Sequence, residues 1–185
     1  MKNMLVVVDM QNDFIDGALG TPDAVSIVPA AEKLIRGWTG DIIATRDTHF
    51  ADSYPQSREG RYLPVPHCIR GTEGHRLRPE IARALDDYKR DHPGRSVRVI
   101  DKYTFGSVDL PGLIGKKKSK RIVFCGLCTD ICVVSNAMLV KAAFPEADVA
   151  VVSDACAGVT PESHASALAT MKMCQIDVIR TEDAI

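Results

Sequence analysis

The sequence lacks any hydrophobic run long enough to cross a bilayer, which takes about 18 consecutive apolar residues. Near the start, the apolar segment Met4–Val8 resembles the beginning of a signal peptide, but it is too short for a signal-peptide core and Asp9 interrupts it. This absence argues against a membrane protein and against a secretory signal. We therefore expect a cytoplasmic protein.

A strong charge of either sign is also lacking, since the formal net charge of the 185 residues is -1. A near-neutral balance gives no indication of nucleic acid or an anionic membrane as partner. One basic cluster, Lys116–Lys118 with Lys120 and Arg121, falls where a helix is predicted to end. Cations at a helix C-terminus are favourable there, so the cluster needs no ligand to explain it.

The sequence contains no internal repeat, low-complexity tract or linker, which predicts one domain over residues 1–185. Short β-branched runs alternate with amphipathic segments, and the strand runs are apolar nearly throughout. This alternation predicts a three-layer, doubly wound α/β fold with a six-stranded, mostly parallel sheet in the order 3-2-1-4-5-6. The predicted strands are Met4–Val8, Asp41–Thr45, Ser96–Ile100, Arg121–Cys125, Asp148–Val152 and Ile176–Ile179. The predicted helices are Ser26–Trp38, Pro79–Tyr88, Leu110–Lys117, Asp130–Ala143 and Pro161–Met173, the last with Thr160 as N-cap.

We expect no disulfide framework among the six cysteines, because a reducing cytoplasm disfavours structural disulfides. The single Cys125-x-x-Cys128 has no second pair, so neither a zinc site nor a redox pair is favoured. Cys132 stands where a strand turns into a helix, with Thr129 as predicted N-cap. A helix N-terminus stabilises a thiolate and lowers its pKa. Cys132 is therefore either a nucleophile or a cysteine packed under the helix.

Other reactive side chains follow neighbouring predicted strands. Asp9 closes the first strand, Asp47 and His49 follow the second, and Lys102 follows the third. Ligands of open α/β sheets bind at the carboxyl ends of the strands, and strands one and four are neighbours in the predicted order. Asp9 is thus a candidate general base for Cys132, the alternative being a loop-anchoring aspartate. Lys102 alone is weak evidence, since most lysines are solvated.

The segment Arg46–Arg78 is long, rich in Pro, Gly, His and charge, and without clear periodicity, which is typical of a functional loop. Asp47-Thr48-His49 together with His67 could bind one ion. Imidazole and carboxylate ligands suit Zn²⁺, Mn²⁺ or Fe²⁺. The alternative is that these histidines are only polar surface.

Taken together, the motifs resemble the isochorismatase-like cysteine hydrolases over essentially the whole chain. The residues that carry the resemblance are Asp9-Met-Gln-Asn-Asp-Phe14, Asp47-x-His49, Pro66-His67-Cys68, Gly71-Thr72, Lys102, Gly126-x-x-Thr129-Asp130-x-Cys132-Val133 and the later run Val152-Ser-Asp-Ala-Cys156 with Thr160, Glu162 and His164. The resemblance implies a triad of Asp9, Lys102 and Cys132. It also implies a cis peptide between Leu127 and Cys128, and an oxyanion hole made by the backbone amides of Cys128 and Cys132.

Within that family, the Asp-x-His pair and the later histidine bind a metal in nicotinamidases. Some of these carry a further histidine shortly after the Asp-x-His pair, and this chain has Pro55 near that place, with Glu59 as the candidate substitute. It also has Leu63-Pro64-Val65 where many carry a tryptophan. The candidate aromatic contacts to substrate are instead Phe14, Phe50, Tyr103 and Phe105.

The resemblance predicts an amidase that converts a small, nicotinamide-like amide to acid and ammonia, acting as a homodimer or homotetramer. The alternatives are hydrolysis of a ureido compound, an N-carbamoyl amino acid or isochorismate on the same scaffold, and a binding module without activity.

Overall fold

The computed structural model describes residues 2–115 and 119–185, and its centre is one six-stranded sheet. The strand order is β3-β2-β1-β4-β5-β6, and every pairing is parallel. The predicted α/β class and strand order are therefore confirmed. The strands are β1 (Lys2–Val8), β2 (Asp41–Asp47), β3 (Val97–Lys102), β4 (Ser119–Leu127), β5 (Asp148–Ala157) and β6 (Asp177–Ile179).

The α-helices lie on both faces of the sheet, as right-handed crossovers between parallel strands require. They are α1 (Asn12–Ile15), α2 (Pro22–Ser26), α3 (Val28–Gly37), α4 (Arg58–Tyr62), α5 (Pro79–Asp91), α6 (Leu110–Gly115), α7 (Val134–Ala143), α8 (Pro161–Met173) and α9 (Thr181–Ala184). A 3₁₀ turn covers Tyr54–Gln56 and a π-helical turn covers Thr129–Val133. The basic residues 116–118 lie outside the described part of the chain, so the prediction for that cluster stays a prediction.

Two predicted helices differ from the structure. The helix predicted over Ser26–Trp38 is α3, which runs from Val28 to Gly37 with Pro29 in its first turn. Ser26 instead ends the short α2, which begins at Pro22 after its N-cap Thr21. Proline lacks the N–H that a continuous helix would need. The helix predicted from Asp130 begins instead with the π-helical turn, and Thr129 is not its N-cap. Thr160 does cap α8, accepting a hydrogen bond from the Ser163 N–H at 3.1 Å.

The central strands form the core of the molecule. Residues 5–8 of β1 and Ile122–Cys125 of β4 are fully buried, which is why both read as continuous apolar runs rather than alternating ones. Burial on both faces fixes the register of β1 against β4, with Val8 opposite Gly126. The residues that follow these strands are consequently held in fixed relative positions.

Among the described residues, none of the helices has both the length and the apolar composition needed to cross a membrane.

Candidate active site

An acid, a lysine and a thiol from three different strand ends meet in one buried cluster. The Lys102 Nζ lies 2.7 Å from Asp9 Oδ2 and 3.4 Å from Cys132 Sγ. All three side chains are buried, with Cys132 only 4% exposed. The strand order explains the meeting, because β1 lies between β2 and β4 and its carboxyl end is therefore central. The structure thus brings together the three residues that were predicted as a triad.

The backbone and one hydroxyl fix Asp9. Its φ of 48° lies in the left-handed region, which aspartate tolerates better than most residues, and its N–H donates to the Thr45 carbonyl at 3.2 Å. The Thr45 hydroxyl donates to Asp9 Oδ1 at 2.6 Å. The other carboxylate oxygen is then directed toward Lys102. Thr45 was not singled out from the sequence, where it reads only as a residue of β2.

Asp47 has a second contact that the sequence did not predict. Its Oδ1 accepts a hydrogen bond from Lys102 Nζ at 3.0 Å, while its Oδ2 lies 2.9 Å from His49 Nε2. Gln11 holds the backbone on both sides, since its Oε1 accepts from the Asp47 N–H at 2.7 Å and its Nε2 donates to the Asp47 carbonyl at 2.9 Å. Asp47 is therefore shared between the triad and the histidine cluster.

The electrostatics of the cluster differ from the sequence prediction at Cys132. Burial is the main cause that raises the pKa of Cys132 well above its ordinary range, followed by the negative charge of Asp9, and Lys102 opposes this only in part. The pKa of this thiol is thus raised overall, whereas its place at a helix N-terminus was expected to lower it. Lys102 does lower this pKa, but by less than burial and Asp9 raise it. The pKa of Lys102 is raised, because Asp9, Cys132 and Asp47 outweigh its burial. Burial likewise raises the pKa of Asp9, against the lowering effect of Lys102.

The backbone around Cys132 turns sharply. Gly126 has a φ of 118°, the peptide between Leu127 and Cys128 is cis as the resemblance implied, and the π-helical turn follows at once. The Cys128 carbonyl accepts from the N–H groups of Ile131 at 3.1 Å and Val133 at 3.0 Å. These bonds place Cys132 within the first helical turn. The oxyanion role of the Cys128 and Cys132 amides stays a prediction.

Thr129 has a different role from the predicted cap. Its buried hydroxyl lies 2.8 Å from Nδ1 of His164 on α8. Asp130, the next residue, accepts from the Val159 N–H with both carboxylate oxygens at 3.2 Å. The turn that carries Cys132 is thus tied to the segment leading into α8.

Beside the triad, Asp47, His49, Glu59 and His67 form a candidate metal centre. One ligand atom from each lies within 4.8 Å of the others. The His67 Nε2 is 3.7 Å from Asp47 Oδ2 and 3.6 Å from Glu59 Oε1, and His49 Nε2 is also 3.6 Å from Glu59 Oε1. Metal–ligand bonds of about 2.0–2.2 Å set ligand atoms roughly 3.0–3.6 Å apart, so the four residues fit a divalent ion with small adjustments.

The surroundings orient these ligands. The His67 Nδ1 lies 2.9 Å from the Val65 carbonyl, which requires a proton on Nδ1 and leaves the Nε2 lone pair facing the cluster. Glu59 comes from the first turn of α4, whose N-cap Ser57 accepts from the Gly60 N–H at 2.9 Å. A short helix inside the long loop therefore delivers the fourth ligand candidate, and the loop is less irregular than predicted.

A cavity of about 780 Å³ opens onto both clusters, with Asp47, His67 and Cys132 in its wall. Phe14 also lines it, with its ring centroid 5.5 Å from that of His67. Tyr103 and Phe105 lie on the wall nearer to solvent.

Phe50 was predicted as a substrate contact, but it is not among the residues lining this cavity. Its ring stacks on Tyr103 with the centroids 6.1 Å apart, and the guanidinium of Arg70 lies 5.8 Å from its centroid. Phe50 therefore packs against Tyr103, which does line the cavity. Sequence reasoning also missed several apolar lining residues, which stand in no motif: Leu19, Tyr62, Leu63, Ile131 and Val159.

The molecule is a parallel α/β protein with a buried acid–lysine–thiol cluster at the carboxyl edge of its sheet. A candidate metal-ligating set lies beside this cluster. The chain belongs to the isochorismatase family, since the isochorismatase domain model matches residues 3–183. It is 25% identical to a nicotinamidase of Schizosaccharomyces pombe, over 98% of this chain and 94% of that protein.

Two solved structures are similar throughout. The nicotinamidase/pyrazinamidase of Bacillus subtilis superposes with a TM-score of 0.83 at 26% identity, covering 97% of this chain and 100% of that one. The pyrazinamidase of Pyrococcus horikoshii, crystallised in complex with zinc, superposes with a TM-score of 0.77 at 28% identity, covering 97% and 99%.

Proposed function

We propose that this protein is a cysteine amidohydrolase that cleaves a small, nicotinamide-like amide to the acid and ammonia through a thioester on Cys132. The observation that carries the proposal is the position of Lys102 Nζ, 2.7 Å from the Asp9 carboxylate and 3.4 Å from the Cys132 sulfur. A carboxylate and a thiol held together by one ammonium supply a base, a nucleophile and the positive charge that stabilises the ionised sulfur. The similarity to nicotinamidases supports an amide as substrate.

In the first half of the reaction, Asp9 takes the proton of the Cys132 thiol as the sulfur attacks the amide carbonyl carbon. The carbonyl electron pair moves to oxygen, and the backbone N–H groups of Cys128 and Cys132 stabilise this oxyanion. When the oxyanion collapses, the C–N bond breaks and Asp9 gives its proton to the departing nitrogen. Ammonia and a thioester are the products.

In the second half, Asp9 takes a proton from a water molecule that attacks the thioester carbonyl. The C–S bond then breaks, and the sulfur regains a proton from Asp9 as the acid leaves. Burial raises the pKa of Cys132, which favours the protonated thiol. The base is consequently needed in every cycle, and proton transfer accompanies the attack.

Asp47, His49, Glu59 and His67 would hold a zinc, manganese or iron ion. When bound, such an ion supplies a Lewis-acid site for the ring nitrogen of the substrate. The chain's own contribution is to orient the ligands, through the Val65 carbonyl at His67 and Lys102 at Asp47. The zinc complex of the Pyrococcus relative supports zinc as the first candidate.

The proposal is tested by measuring ammonia released from nicotinamide, with Zn²⁺ or Mn²⁺ present, by the native protein and by Cys132→Ala. We expect turnover by the native protein and none by the variant. Cys174→Ala is the matched control, because Cys174 is an exposed thiol that does not line the cavity, and it should retain full activity. Ammonia release that survives Cys132→Ala would refute the mechanism.

A panel containing an N-carbamoyl amino acid, a ureido compound and isochorismate separates the rival substrates. If the protein turns over one of these compounds and not nicotinamide, and Cys132→Ala abolishes that turnover, the substrate assignment changes to that compound. The proposed role of the Cys132 thiol would then stand. The cytoplasmic location and the homodimeric or homotetrameric state stay predictions of the sequence.

A further inference from the structure

The active-site cavity is larger than a small ring amide needs. Its volume is about 780 Å³, within the range of about 300–1,000 Å³ in which pockets hold drug-sized ligands. Nicotinamide has only nine non-hydrogen atoms, far fewer than such a ligand. If the amide carbonyl lies at Cys132 and the ring lies beside His67, much of the cavity remains free.

The unfilled part of the cavity lies on its solvent side, because the wall residues become more exposed with distance from the reactive groups. The residues that carry the chemistry are buried: Cys132 is 4% exposed and His67 2%. The outer wall consists of apolar side chains that are largely exposed, with Tyr103 at 56%, Phe105 at 45% and Val159 at 54%. The unfilled volume therefore begins past the ring-sized inner part and extends toward solvent.

Outside the two buried clusters the cavity wall is mostly apolar, and its polar side chains include Arg58, Thr21 and Thr104. Outside the metal-ligating cluster, Arg58 is the only charged side chain among the described residues that line the cavity. Its guanidinium lies 5.2 Å from the ring centroid of Tyr62, an aromatic residue of the same wall. Single exposed apolar residues scattered over a surface are ordinary. Here they cluster around a cavity that leads to reactive groups, which indicates a binding surface.

We propose that the substrate of this enzyme is an amide whose acyl group continues beyond the first ring as an aryl or alkyl substituent, bound by Tyr103, Phe105 and Val159. This inference rests on the proposed amide hydrolysis at Cys132. The outer wall is continuous with the site of the chemistry, which is why its occupant is the distal part of the substrate itself. Burying each additional methylene there should raise kcat/KM by about fourfold.

The test measures kcat/KM for ammonia release from nicotinamide and from its 5- and 6-propyl and 5- and 6-phenyl derivatives. Both ring positions are used so that at least one substituent can point to the outer wall. We expect one derivative or more to exceed nicotinamide by at least tenfold. Phe105→Ala should lower the ratio of kcat/KM for that derivative to kcat/KM for nicotinamide by about tenfold, whereas Val159→Trp, which fills the outer cavity, should bring the ratio below one.

Val108→Ala is the matched control, because Val108 is an exposed apolar residue close to Phe105 in sequence (78% exposed) that does not line the cavity. It should leave the ratio unchanged. The inference is overturned if nicotinamide is hydrolysed and every substituted amide is equal or slower, or if Val108→Ala lowers the ratio as much as Phe105→Ala does. It is also overturned if Phe105→Arg converts an oligomer to a monomer in size-exclusion chromatography while no substituent gives a gain, since a second copy would then cover this wall.

These outcomes differ from failure of the proposed function itself. If the native protein and Cys132→Ala release no ammonia from any amide of the series, the hydrolase proposal fails. If nicotinamide alone is turned over, only the extended substrate is excluded.

Discussion

Replacing Gly126 by alanine should damage stability and catalysis together. Gly126 lies at the end of β4 with a φ of 118°, a conformation that costs a residue with a side chain about 1–3 kcal/mol. A Cβ built there would lie 2.0 Å from the Val8 carbonyl oxygen and 2.8 Å from the Val8 N and C atoms, whereas ordinary contacts are 3.4–4 Å. The neighbour is the backbone of a fully buried strand, so no flexible side chain can move aside.

The clash should add about 1–3 kcal/mol, the usual cost of overpacking a core. Gly126→Ala should therefore lower the free energy of unfolding by about 2–6 kcal/mol, which corresponds to a Tm lower by roughly 4–24 °C for a chain of this size. Relief of the clash requires Val8 to move by more than an ångström, and Asp9 is the next residue. Since a misplacement of about 1 Å in a catalytic group costs about 10²-fold, kcat should fall by a similar factor.

Urea unfolding followed by circular dichroism measures the first effect, and the ammonia assay measures the second. Gly112→Ala is the matched control, because Gly112 lies within α6 and a Cβ there meets nothing within 4 Å. It should raise the free energy of unfolding by about 0.5–1 kcal/mol, as alanine is the better helix former. A Gly126→Ala protein within about 1 kcal/mol of the native one, with unchanged kcat, would show that the β1–β4 contact does not set the position of Asp9.

Three further predictions follow from the buried clusters. Lys102→Met leaves two buried carboxylates without their cation, so it should lower the free energy of unfolding in urea titrations by about 3–5 kcal/mol. Lys89→Met, on the exposed face of α5, is the control and should change this free energy by less than about 0.5 kcal/mol. Because burial raises the pKa of Cys132, iodoacetamide at pH 7 should label the exposed Cys174 first and Cys132 slowly. The labelling rate of Cys132 should increase with pH as the thiolate forms. Peptide mass spectrometry measures both rates, and faster labelling of Cys132 than of Cys174 at pH 7 would contradict this prediction. His67→Ala should weaken metal binding at least about tenfold in titrations and raise KM more than it lowers kcat; a protein that keeps its metal would remove His67 from the ligand set.

Strand order was predictable because it depends on patterns that span several residues. The fully buried strands β1 and β4 read as apolar runs, and their alternation with amphipathic helices leaves few topologies. Boundaries that depend on a single residue were less certain. The break between α2 and α3 depends on Pro29, which lies in the first turn of α3. Thr129 does not cap a helix as predicted, because its hydroxyl contacts His164 of α8, 35 residues away in sequence.

The proximity of Asp9, Lys102 and Cys132 was also predictable, because each stands at or just after a strand end on the same edge of the predicted sheet. Properties that depend on the environment were not. The direction of the Cys132 pKa shift follows mainly from burial, which no local motif reveals. Phe50 stacks on Tyr103 and does not line the cavity, and no local motif reveals this either. Apolar wall residues such as Val159 have no sequence feature that marks them.

The contact least visible in the sequence has the largest mechanistic consequence. Asp47 binds Lys102 through one carboxylate oxygen and faces His49 with the other, and Gln11 fixes its backbone from both sides. A side chain held at both ends cannot reorient without breaking two buried contacts, so the distance from the ligand cluster to the Cys132 sulfur is fixed. A substrate anchored by its ring nitrogen at that cluster would therefore present its carbonyl carbon to the sulfur at a separation set by Asp47. On this argument an amide whose nitrogen stands elsewhere on the ring would bind at the cluster but lie out of reach of the thiol, and it would inhibit rather than react.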